Sequence, residues 1–120
     1  MTLRNFIIGA ETLAAWFGSG LETVSQDRAT MRAMTCKLCP MNQKAKWHER
    51  WPEYFTTLSG IRETLRKNGC QTSLDPHLHT CSGCDCPLTI KIWCPLPVIK
   101  LNMPVELRAK LHPQCWITNE

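Results

Sequence analysis

No part of this 120-residue chain supplies the run of about 20 apolar residues that a membrane-spanning helix needs. The longest candidate, Phe6 to Phe17, is interrupted by Glu11. It is also not the unbroken apolar stretch, between a charged start and a small-residue cleavage site, that marks a secretory leader. The expectation is therefore a protein without a membrane span that stays in the reducing compartment where it is made. Catalytic signatures are missing as well: the sequence has no phosphate loop, no dinucleotide-binding glycine pattern and no H-E-x-x-H. Nor does it contain the compact C-x-x-C-x-x-C run of a bacterial ferredoxin. Internal repeats and low-complexity tracts are absent. These gaps set aside the commonest enzyme classes, and the expectation is that the chain is not an enzyme.

What the chain does have is cysteine. Eight in 120 residues approaches the density of a stapled scaffold. One domain of this size has a limited core that gains noticeably from cross-links. A reducing compartment argues for thiolate–metal bonds over disulfides, with disulfides or free thiols as the remaining alternative.

The spacing is specific. Cys36-Lys37-Leu38-Cys39 and Cys81-Ser82-Gly83-Cys84 are two C-x-x-C turns. Each is short enough to aim both sulfurs inward while the intervening N–H groups point at the thiolates. Together they provide the four ligands of a tetrahedral zinc site, and Gly83 suits a turn that demands unusual backbone angles. Cys86 and Cys115 raise the candidate set to six: Cys36, Cys39, Cys81, Cys84, Cys86 and Cys115. Six sulfurs exceed one mononuclear site, so zinc is the first expectation and a [4Fe–4S] cluster the alternative. Proline directly follows Cys39, Cys86 and Cys94, a step familiar at iron–sulfur ligands.

Cys94 reads as a buried structural thiol, and Cys70 as a bystander in a helix-ending loop. His77 and His79 flank Leu78 just before Cys81, close enough for one of them, His79 first, to complete a centre of three cysteines and one histidine; exposed loop histidine is the simpler reading, and His48 and His112 have weaker claims. A thioredoxin-like dithiol is disfavoured, because Cys36 follows a helix rather than a strand.

Around the cysteines, periodicity predicts helices. Leu3 to Phe17 carries an apolar stripe at Leu3, Phe6, Ile7, Ala10, Leu13, Ala14 and Phe17, ending at Gly18-Ser19-Gly20. Ser25 caps a second helix leading to Cys36. Pro52 opens a third, with Tyr54, Phe55, Leu58, Ile61 and Leu65 inward, closed by Asn68-Gly69. Asn42 to Lys46 and Gln71 to Thr80 read as loops, and Leu88 to Trp93 as a short strand. Prolines 95, 97 and 104 keep the next stretch from forming a long regular element, and Val105 to Leu111 reads as a final helical turn or two. The expected class is α+β: mainly small helices with a short β element, in a metal-stapled single domain over 1–120. Within it, 1–35 forms an N-terminal helical arm and 36–120 the metal-stapled core.

Net charge is +4, and the segment from Lys37 to Lys67 alone carries seven bases against three acids. Lys44, Lys46, Arg50, Arg62, Arg66 and Lys67 could face a polyanion, although a solvated helix face is the simpler reading. No interleaving of aromatic and basic residues marks a stacking platform.

Two blocks carry a family resemblance. The first is Arg32-Ala33-x-x-Cys36-x-x-Cys39-Pro40-x-Asn42, preceded by a helix that ends in Gly18-Ser19-Gly20-Leu21. The second is Leu78-His79-x-Cys81-x-x-Cys84-x-Cys86-Pro87-Leu88-x-x-Lys91-Ile92, succeeded by Pro95 and then Pro113-x-Cys115-Trp116-Ile117. The pattern resembles cysteine-rich proteins of tailed bacteriophages and prophages, nearly end to end. The resemblance implies that the same six cysteines are the recurrent set, with Cys70 and Cys94 outside it, and it brings no catalytic residue. It implies a small metal-binding (zinc or iron–sulfur) structural or assembly protein of a phage particle, in the tail, baseplate or connector. Such a protein is made in the host cytoplasm, resides in the virion, and has other phage structural proteins or copies of itself as partners. Tryptophans 16, 47, 51, 93 and 116 are candidate interface anchors if exposed and core if not. The alternative is a metal-binding regulator or nucleic-acid binder acting in the infected cell.

Overall fold

The computed structural model describes residues 3–44, 52–83 and 86–120. Described residues form seven α-helices, one 3-10 turn and a two-stranded antiparallel sheet, a small α+β domain. The helices are α1 (Leu3–Gly18), α2 (Gln26–Lys37), α3 (Pro52–Lys67), α4 (Leu88–Lys91), α5 (Leu96–Asn102), α6 (Val105–Arg108) and α7 (Trp116–Asn119). Strand β1 (Asn42–Gln43) pairs with β2 (Thr80–Cys81), and the 3-10 turn spans Asp75–His77. The Cα radius of gyration is 13.1 Å, against ~13.6 Å for a folded chain of this length. Among the described residues no helix is long and apolar enough to cross a membrane.

The predicted helix boundaries have local causes. Helix α1 stops where Gly20 and then Leu21 take positive φ angles of 88° and 56°. Its inward face is rotated from the predicted stripe. Ile8, Leu13 and Trp16 pack against the core, whereas Ile7 and Ala14 are exposed. Trp16 decides the rotation: it is the largest apolar side chain of the helix, and its indole N–H donates to Glu22 O at 2.6 Å. Helix α2 begins as predicted, with the Ser25 hydroxyl accepting from Arg28 N at 3.2 Å. In α3, Leu58, Ile61 and Leu65 are buried, and Gly69 (φ 77°) ends it. The side chains of Tyr54 and Phe55 lie outside the described set.

Two readings change. Asn42–Gln43, predicted as loop, is β1, with Asn42 opposite Cys81 and Gln43 opposite Thr80. Leu88 to Trp93, predicted as a strand, is the short helix α4 and its exit. Pro87 bridges Thr80, and with no N–H of its own it gives the ladder no donor to continue. From there Lys91 N donates to Pro87 O (3.0 Å) and Ile92 N to Leu88 O (3.2 Å). Leu88, Ile90, Lys91, Ile92, Trp93 and Cys94 are all buried, so no inside–outside alternation exists for a strand to use.

This segment is the spine of the core: α4 lies against both α2 and α3, while α1 packs on α5. Trp16, Ala29 and Ala33, from the stretch read as an arm, share one core with Ile92, Trp93 and Trp116. Those three tryptophans are buried; Trp47 and Trp51 lie outside the described residues.

Candidate metal centre

Three segments meet beside α4. The first is the end of α2: Cys36 occupies its last turn, and Cys39 N donates back to Cys36 O at 3.1 Å. Asn42 N then donates to Cys39 O at 3.1 Å, so the chain reverses directly into β1.

Asn42 fastens this turn to the second segment. Its side-chain amide donates to His77 O (2.7 Å), and its carbonyl oxygen accepts from His79 N (2.8 Å). Ser82 N donates to Met41 O at 2.8 Å, and Cys81 N to Cys86 O at 3.0 Å. Gly83 takes no positive φ, so the turn does not call on special backbone angles there. A Cβ there would stand 3.2 Å from both Leu111 Cδ2 and Met41 Sδ.

The third segment arrives from the far end of the sequence. Cys115 N donates to His112 O at 2.9 Å, turning the chain into α7. Trp116 is thereby buried beside Cys36, and its indole N–H donates to Cys36 Sγ at 3.3 Å.

The result is an open cavity of about 310 Å³ whose lining residues include Cys36, Cys39, Cys81 and Cys115. Met34, Leu38, Met41 and Leu88 contribute apolar wall, and Lys91, His112 and Trp116 the nitrogen-bearing side. Four of the six predicted ligands therefore share one site. Cys84 lies outside the described residues. Cys86 lines a neighbouring apolar cleft with Cys94, with Lys91 between the two spaces. Among the described residues every cysteine is a free thiol, and no three His, Cys, Asp or Glu side chains are gathered closely enough to hold a single ion. His79 is half-buried and does not line the cavity, whereas His112 does.

Electrostatics around the thiols oppose one another. Burial pushes Cys36 up to about 11 and Cys94 up to about 12, and raises Cys115. Acting the other way are the Trp116 N–H on Cys36, the Ile117 backbone N–H on Cys115, and the Lys91 charge on all three. Lys91 is only 6 % exposed, with its ammonium 5.9 Å from the centre of the Trp116 ring. Arg32, 2 % exposed, lies 4.0 Å over that ring. Its guanidinium donates to Ile92 O and Cys94 O and forms a two-point ion pair with Glu120 at 2.9 and 3.0 Å.

Thiols are the ligand type that soft metals prefer, although among the described residues they are not gathered around one point. The polar groups behind them, Asn42, Lys91, Arg32 and Glu120, were not singled out from sequence as a support. One signal was present: Ala29, Arg32, Ala33 and Cys36 recur at helical spacing. That buried stripe is small, charged and sulfurous rather than apolar, so hydropathy does not show it. Of the basic residues considered for nucleic acid, Lys44, Arg62, Arg66 and Lys67 are exposed; Lys46 and Arg50 lie outside the described residues. No protein-family model, curated protein or solved structure matches the chain.

Proposed function

We propose that this chain is a cysteine-ligated metalloprotein with a structural role, an assembly component of a tailed-phage particle, its metal joining α2, the β1–β2 sheet and the turn into α7. The observation that carries the metal reading is the shared cavity of Cys36, Cys39, Cys81 and Cys115. These are separated by up to 79 residues along the chain, and a common ligand would connect segments that otherwise meet through few backbone bonds. A site saturated by protein thiolates has no open position for a reacting water, which favours structure over catalysis. The phage setting rests on the resemblance of the two cysteine blocks. An assembly role is further supported by Met31, Met34 and Leu38, exposed beside the cavity on α2 and its exit.

Two measurements test this reading. Metal analysis of protein purified without chelator should give a metal bound in fixed ratio to the chain, released when Cys36 and Cys81 are replaced by Ser. Mass spectrometry of purified phage particles encoding the chain should then find it at constant copy number. Its absence from particles, together with binding to nucleic acid that weakens steeply with salt, would move the role to the regulatory alternative.

A further inference from the structure

We infer that copies of this chain join head to tail, the corner between α5 and α6 of one copy seating on the outer face of α2 in the next. This inference rests on the assembly reading above and names the partner as another copy. Among the described residues six large apolar side chains are exposed, and five of them gather in two places. Met31, Met34 and Leu38 recur at i, i+3 and i+7 along α2 and its exit, so they share one helix face. Leu101 and Val105 stand on either side of the break between α5 and α6, where Met103 turns extended with ψ 114°. Each of the five is at least 58 % exposed. The core explains neither group. The buried side of α2 is Ala29, Arg32, Ala33 and Cys36, and at the corner Ile99, Met103 and Leu107 point inward. Single exposed apolar residues are ordinary, but two gathered groups on one small domain mark contact surfaces.

Charge lets the two surfaces meet in one direction. On α2, Asp27 stands one helical turn before Met31 on the same face, and Lys37 flanks the far end; both are exposed. The order along the chain is acid, apolar, base. At the corner the order is reversed: exposed Lys100, then Leu101 and Val105, then exposed Glu106. Laid side by side in parallel, the surfaces bring Lys100 to Asp27 and Glu106 to Lys37, whereas the opposite direction sets like charges together. Arg28, the other exposed base of this helix, is taken up by Glu120 in its own chain. Shape agrees. Met34 and Leu38 also border the open cavity, so the receiving face has a depression beside it, and unbranched methionines adapt to what enters. Pairing α2 with a second α2 would leave Leu101 and Val105 uncovered; the head-to-tail contact covers all five. Because its two sides differ, each copy keeps one side unused, and the contact propagates into a ring or an open filament.

The test is sedimentation velocity of the full chain, purified anaerobically without chelator, over a range of concentrations. Wild type should form species larger than a dimer that grow with concentration. Met34→Glu and Leu101→Glu each place a charge at an exposed position of one surface only. Each should sediment as a monomer while remaining folded by circular dichroism. Mixed together, the two variants should form a dimer and nothing larger, because one intact corner then meets one intact α2 face. Asp27→Lys should weaken assembly several-fold, and Lys100→Glu added to it should restore the wild-type association. Wild type that stays monomeric at every concentration would overturn the inference and leave the metal and the particle role to their own tests. Assembly that survives Leu101→Glu but not Met34→Glu would show α2 pairing with itself. A mixture that stays monomeric would show that the two surfaces do not meet, and either of these results overturns the head-to-tail contact.

Discussion

An arginine at 2 % exposure is sustainable only when each part of its guanidinium has a partner. Arg32 reaches Ile92 O and Cys94 O, the carbonyls that leave α4 without a helix or sheet to receive them, and the Glu120 carboxylate takes the rest. The Arg32 hydrogen bond is the main reason the Glu120 carboxyl is held below its ordinary 4.5, with Arg28 at 2.9 Å adding to it. A depressed folded-state value means that the pair's stabilisation is fully present above about pH 4.5. It is lost as the pH falls through the lowered value. Glu120→Gln should therefore cost about 2 kcal/mol at neutral pH, and the gap to wild type should close under acid. Urea unfolding of both proteins across that range checks it, and a gap independent of pH would contradict it. Trp116 carries a second residue-scale prediction. Trp116→Phe keeps a ring under Arg32 but removes the donor to Cys36 Sγ. It should cost about 1 kcal/mol from the hydrogen bond alone, and Trp116→Ala about 3–5 kcal/mol, both read from urea unfolding.

At the scale of elements, legibility depended on whether a segment has two distinguishable faces. Helix α2 was readable because Ser25 announces its start chemically; Ser25→Ala should lower stability by about 1 kcal/mol and Ser25→Gly by only a few tenths, measured by thermal melting. Helix α3 was readable because Leu58, Ile61 and Leu65 recur against an exposed polar face. The Leu88–Trp93 segment was not, since almost every residue of it is buried and periodicity cannot separate a buried helix from a buried strand. Its six residues are strand length as well, and only the preceding Pro87, which gives a ladder no donor, points away from a strand. Ile92→Ala tests the position of this segment at the centre of the core. With Ile92 at 0 % exposure, the loss should be about 2–5 kcal/mol, as large as for any aliphatic truncation in α3. A loss below about 1 kcal/mol would mean that the spine lies elsewhere. The site was half legible by the same standard. Spacing named the cysteines, but it favoured the two C-x-x-C pairs as a unit. Cys115 joins the cavity through a contact across the whole sequence, and Asn42 and Lys91 support it from positions that cysteine spacing does not mark, although both stand in the blocks that carry the family resemblance.

For the whole molecule, the proposed metal predicts how folding and binding would be coupled. The segments bearing Cys36 and Cys39, Cys81, and Cys115 touch through β1–β2, the Asn42 side chain and the Trp116 contact. A group bound to all four thiols adds cross-links that close long loops, and these restrict the unfolded chain most. Binding at a thousandfold excess over its Kd contributes about 4 kcal/mol, close to the whole stability of a small domain at about 5 kcal/mol. The metal-free protein should therefore be marginal, and unevenly so. Hydrogen exchange after anaerobic metal removal should accelerate first at Cys39, Asn42, Ser82 and Cys115. Ile61 and Leu65, buried in α3 and held by a long helix ladder, should stay protected longest. The Asn42→Ala variant should show the same order with metal bound, because losing two hydrogen bonds of 2.7 and 2.8 Å loosens the join between the first two segments without touching a thiol. Uniform loss of protection on metal removal would show that the metal holds up the whole fold. Unchanged protection at Asn42 and Cys115 would show that the thiols close no loop, and the structural role proposed for the centre would fail.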